Sequence, residues 1–277
     1  LEYSDLDTLR TVKTSSIGAW LELASRLERV TIDAWRFDTH DDFECRPAAE
    51  QKDSDSAHLT RYSTALTRFI FVANALEETY RFIDAYCTRS NEKYAFLQSL
   101  KLRSPSIKSA ILIDKIPREK WPENLEHLSG NFSREFKHYL SFYKIEISGM
   151  GHTAESEPSY ALHLIRNLRN HVAHGAFPIA PNPEYDWMIN INKGNVFQIL
   201  NKACRLASIY IQMLICEFNV GFCSGEYLSF DGSGGEEFEY FLENCNFHYV
   251  RNLHIEQDFS FESAFNYRLQ PWKAKES

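Results

Sequence analysis

The residues of this chain best suited to chemistry lie together in Arg169-Asn170-His171-Val172-Ala173-His174-Gly175, with His174 five positions after Arg169 and four after Asn170. A guanidinium grips phosphate oxygens through a planar fork of donors, and an imidazole takes and gives protons near neutral pH. Placed side by side, they suit acid–base work on a phosphodiester.

The element that must position them is a helix. Leu162, Ile165, Leu168 and Val172 recur every three or four residues and form one apolar stripe. Ser156 or Pro158 is the expected start, and Gly175 followed by Pro178 the expected stop. His174 then falls in the last turn, where the helix dipole favours its protonated form and the nearby Arg169 charge opposes it. Asn170 and His174 share a face, so the amide is expected to orient the ring, while Arg169 curls toward the same spot.

Arg-Asn-x-x-x-His-Gly at the end of an amphipathic helix resembles the R-x4-6-H signature of HEPN domains. These are helical bundles, many of them metal-independent endoribonucleases of antiphage defence, toxin–antitoxin and RNA-processing systems. The resemblance assigns Arg169, Asn170 and His174 to the signature. Arg166 and His171 fit the same spacing in a second register, ranked lower because Gly follows only His174. It also implies an RNA substrate, a homodimer whose two signature helices face one another, no metal or other cofactor, and an antitoxin or regulatory protein as further partner. One known mode of control modifies a Tyr two residues after the signature His; here that position is Ala176, which argues against it.

Residues 58–87 read as one long helix with Leu66, Phe69, Ile70, Ala73, Leu76, Tyr80 and Ile83 on a wide apolar face. Asn74, Glu77 and Glu78 interrupt its most apolar run. This segment is similar to the HEPN helix that packs beside the signature and lends it a polar residue, so Asn74 or Glu77 is expected to hold Arg169. A buried Asn without a partner costs about 1–3 kcal/mol, which the signature Arg or His would relieve.

Around these two helices the pattern predicts a helix at 16–36 and a polar surface linker at 37–57. Short inserted helices follow at 91–102, 106–113 and 131–146, broken by Pro117, Pro122 and Gly130. A strand at 186–191 and a strong helix at 196–218 come next. The expected fold is mainly all-α, a HEPN-like four-helix bundle over 58–220 with an insertion at about 88–150. Residues 1–57 would form an N-terminal helix and linker. Residues 221–277 would be an appendage with a Gly-rich linker at 231–235 and alternation at 247–261 that allows a small β hairpin.

Composition bounds the function classes. The 277 residues are 44% hydrophobic, enough for a sizeable core, and carry a net charge of −8. That charge argues against broad nucleic-acid binding but leaves room for a local basic cleft at Arg166, Arg169, His171 and His174. Six cysteines without a C-x-x-C pair read as buried thiols, and no zinc site is expected. No apolar run reaches the roughly 18–20 residues of a membrane span and no leader is visible, so the expectation is a cytoplasmic protein. The start at Leu1 reads as a trimmed N-terminus.

Overall fold

The computed structural model describes residues 2–5, 10–37, 46–90, 96, 104–145, 154–179, 181–185 and 196–217. Among them are α1 (Ser15–Arg26), α2 (Arg46–Ser90), α3 (Pro105–Lys115), α4 (Leu125–Tyr143), α5 (Glu157–Ala173) and α6 (Val196–Glu217). A short antiparallel pair, β1 (Glu2–Asp5) and β2 (Arg10–Lys13), precedes them with Tyr3 opposite Val12.

The longest helix begins at Arg46, well before the 58 expected from its apolar pattern. Pro47 lies in its first turn, where the missing N–H costs nothing. Arg46 pairs with Glu50 one turn on at 2.9 Å. The reason for the earlier start is tertiary. The segment expected to continue α1 to residue 36 instead leaves the helix after Arg26 and runs back along α2.

That strap gives several of its backbone groups to α2 side chains, and within it Trp35 N donates to Asp33 Oδ1. Arg68 Nη2 donates to the Leu27 carbonyl at 2.8 Å, and Thr64 Oγ1 accepts from Val30 N at 2.9 Å. Thr60 Oγ1 accepts from Ile32 N at 2.9 Å and Ser56 Oγ from Ala34 N at 3.0 Å. Ser56, Thr60, Thr64 and Arg68 recur every four residues and so form one polar stripe that replaces the lost helical bonds.

The bundle core is drawn from four long helices. Phe69, Leu76 and Ile83 of α2, Phe132 and Phe136 of α4, Ile165 and Leu168 of α5, and Leu206 and Leu214 of α6 are all buried. Each such side chain contributes about 1.5–3 kcal/mol of burial. α2 packs on α1 and α6, while α5 lies against α3 and α4. Thus α3 and α4, read from sequence as inserted pieces, belong to the same core, to which α3 adds Ile113. Gly130, expected to break the chain, sits inside α4 instead.

The start of α5 is firmly set. Of the two expected starts, Ser156 is the cap and Pro158 follows in the first turn, and Ser156 closes a reciprocal box with Ser159 that the sequence reading did not anticipate. Asp114 of α3 accepts from the Ser156 hydroxyl and from Glu155 N. Tyr210 of α6 donates its hydroxyl to the Pro158 carbonyl at 2.8 Å. Helix α5 is therefore pinned at its first turn by two neighbours.

By length and composition α6 could cross a membrane, contrary to the sequence expectation, yet 67% of its apolar window is buried in the bundle. The strand expected at 186–191, the hairpin at 247–261, the appendage 221–277 and, apart from Phe96, the helix at 91–102 fall outside the described residues.

Candidate functional site

The end of α5 is built as its glycine predicts. Gly175 takes a left-handed φ of 67° and donates to the Val172 carbonyl, while Ala176 N donates to the His171 carbonyl at 2.8 Å. These two bonds satisfy carbonyls that the helix end would leave bare. Beyond the turn, Phe177 is buried with its ring 5.5 Å from Tyr139, and Tyr62 donates to the Pro178 carbonyl at 2.8 Å. Both anchors fix the chain just after His174. His174 itself is the C-cap residue and is exposed.

Arg169 and Asn170 are half-buried, and Arg169 Nη1 donates to Asn170 Oδ1 at 3.2 Å. This pairing corrects the expectation that Asn170 orients the His174 ring. The amide oxygen serves the arginine, and Asn170 meets His174 through the backbone, its carbonyl accepting from His174 N at 2.9 Å. Five residues of helix put Arg169 and His174 about 7.5 Å apart along the axis. They also point about 140° apart around it, so a ligand shared by both requires the long Arg169 side chain to bend across the helix end.

The supporting residues sort differently from the expectation. Asn74 is half-buried. Among the described residues, no hydrogen bond or ion pair joins Asn74 or Glu77 to Arg169 or His174. Glu77 acts instead on Tyr80, a fully buried phenol. Burial pushes the Tyr80 hydroxyl well up, the Glu77 charge adds to this, and Arg166 opposes it. Arg166 also bears on His163, whose ring is pushed down to about 4, first by burial and then by that charge.

His171 turns elsewhere. Its ring lies 6.3 Å from Phe136 of α4, its Nδ1 is buried without a hydrogen-bond partner, and burial lowers its pKa. Arg166 and His171 have the same five-residue spacing as Arg169 and His174, so the burial of the His171 ring nitrogen, not the spacing, sets the second register apart.

The site thus consists of a guanidinium seated on a side-chain amide and an exposed imidazole at a rigid helix terminus. Sequence reasoning passed over Tyr62 and Tyr139, which hold that terminus, and His163, one turn before Arg166 on the same helix. The His163 position was readable as i−3 to an arginine; the tyrosines depend on packing between distant segments. Among the described residues no three His, Cys, Asp or Glu side chains are placed to share a metal ion. No protein-family model, curated protein or solved structure matches this chain.

Proposed function

We propose that this protein is an endoribonuclease of HEPN type that needs no metal and works as a homodimer. What carries the reading is the Arg169–Asn170 hydrogen bond beside an exposed His174 at the end of α5. Arginine seated on an amide presents a fixed charge to phosphoryl oxygens, and an exposed imidazole is free to exchange protons.

In this mechanism His174 removes the proton from a ribose 2′-OH. The resulting oxygen attacks the adjacent phosphorus, and His174 of the partner subunit protonates the departing 5′-oxygen. The products are a 2′,3′-cyclic phosphate and a 5′-hydroxyl. Arg169 stabilises charge gathering on the phosphoryl oxygens, and Asn170 holds Arg169 in its orientation. DNA lacks the 2′-OH and is not a substrate. Such an activity fits antiphage defence or a toxin–antitoxin pair in the cytoplasm.

The test is incubation of the protein with end-labelled RNA in EDTA, followed by analysis of the termini. Cyclic-phosphate and 5′-hydroxyl ends that vanish in the His174→Ala protein support the proposal. RNA that is bound but uncut would instead favour a noncatalytic module with the same signature, and cleavage undiminished by His174→Ala would remove this assignment.

A further inference from the structure

A second cationic site lies away from the signature helix. Where the strap after α1 meets α2 and α6, the fold leaves a cleft of about 510 Å³ lined by Arg29, Arg61, Arg68, Thr60, Phe197 and Asn201, among others. No residue of α5 lines it. Its size lies within the range of small-molecule sites.

The charge in this cleft is predominantly positive. Three guanidiniums line it against one carboxylate, Glu28, in a chain whose net charge is −8. Among the described residues, neither Arg29 nor Arg61 makes an ion pair or a side-chain hydrogen bond. The described hydrogen bond of Arg68 goes to a neutral carbonyl, that of Leu27. Arginines gathered with a single acid among them raise one another's free energy, and an anion relieves this.

The walls are already in place. Thr60 and Thr64 spend their hydroxyls on the strap, holding Arg29 between Leu27 and Val30, both tied to α2. Phe197 stands at right angles to the rings of His58 and Tyr62, at 5.5 and 5.9 Å between ring centroids, and lines the cleft. A half-buried aromatic ring beside three guanidiniums offers an apolar surface next to a phosphate grip.

We infer that this cleft binds a phosphate ester bearing a flat ring, the chemistry of a nucleotide. Arg29, Arg61 and Arg68 take the phosphate, Phe197 takes the ring, and Asn201 supplies a polar contact to its edge. The nucleotide can be a free nucleoside phosphate or one residue of an RNA strand. The inference does not rest on the ribonuclease reading, since none of its residues belongs to that site.

The experiment is titration calorimetry of the whole chain with inorganic phosphate, adenosine, AMP and a short 5′-phosphorylated RNA. We expect saturable binding of AMP or of the RNA, weakened about tenfold or more by Arg29→Gln or Arg61→Gln through loss of a charge-assisted contact. Phe197→Leu should weaken nucleotide but spare inorganic phosphate. Arg169→Ala should leave this binding intact, which separates the cleft from the signature site. Binding by the RNA alone assigns the source to a strand. Circular dichroism of each variant confirms the fold. No saturable binding of any phosphate compound, or binding indifferent to both arginine substitutions in folded protein, overturns the inference.

Discussion

Arg169 and Asn170 are neighbours in sequence whose side chains meet at 3.2 Å, guanidinium to amide oxygen. Adjacent helical residues diverge by about 100°, so this contact requires the arginine to fold back across the helix. It sets the direction of the one charge that the proposed reaction needs at phosphorus.

The first prediction follows from that contact. Removing Arg169 takes away transition-state charge stabilisation, and Arg169→Ala should lower RNA cleavage by about 10²–10³-fold. Asn170→Ala leaves the charge but releases its direction, so a smaller loss of about tenfold is expected. Because Asn170 acts through Arg169, the double variant should be no worse than Arg169→Ala alone. Single-turnover rates for the four proteins decide the matter; fully multiplicative losses would show that Asn170 works independently.

His163 makes stability depend on acidity. Its folded-state pKa of about 4 lies below the ordinary value of 6.5, so between these values the unfolded chain binds more protons. Stability is then full above about pH 6.5 and declines as the pH falls toward 4. Complete burial would make this worth about 3 kcal/mol, and solvent reaching the half-buried ring reduces it to about 1–2 kcal/mol. His171, also lowered by burial, pulls in the same direction. Urea unfolding at pH 7.5 and 4.5 should show a smaller difference in His163→Gln than in the unaltered protein; an equal difference would clear His163 of the role.

The helix end at Gly175 was legible from sequence because one residue type carries it: a left-handed φ closes a helix, and glycine adopts it without strain. The cap at Ser156 was legible for a similar local reason. The strap at 27–37 was not. Its apolar spacing suits a helix, and only Thr60, Thr64 and Arg68, some thirty to forty residues later, decide otherwise. The same gap between local pattern and distant partner explains the site. Asn170 shares a helical face with His174, which made the amide–imidazole pairing reasonable, yet the long Arg169 side chain reached the amide first. Glu77 stands near the buried Tyr80 rather than Arg169, and which groups it meets depends on how α2 and α5 cross.

Gly175 itself can be tested. Any side chain in its left-handed conformation is strained by roughly 1–2 kcal/mol, although no neighbouring atom lies within 4 Å of the added carbon. Gly175→Ala should therefore destabilise the protein by about 1 kcal/mol, and Gly175→Asn by less, since asparagine tolerates this region. Denaturant midpoints for the three proteins give the order. A neutral alanine would mean that the turn relaxes, and the position of His174 with it.

Gly130 poses the opposite case with the same amino acid. It lies inside α4 with nothing within 4 Å of where a methyl group would stand, and its φ is not left-handed. Glycine there costs the helix about 0.5–1 kcal/mol relative to alanine, because the unfolded chain has more freedom to lose. Gly130→Ala should raise stability by that amount and leave the proposed activities unchanged. An unchanged or lowered denaturant midpoint would place a neighbour against this position. If both glycine variants behave as argued, backbone conformation rather than space decides the sign at each. The strained glycine is then the one that fixes the chain beside His174, and the relaxed one only spans a helix.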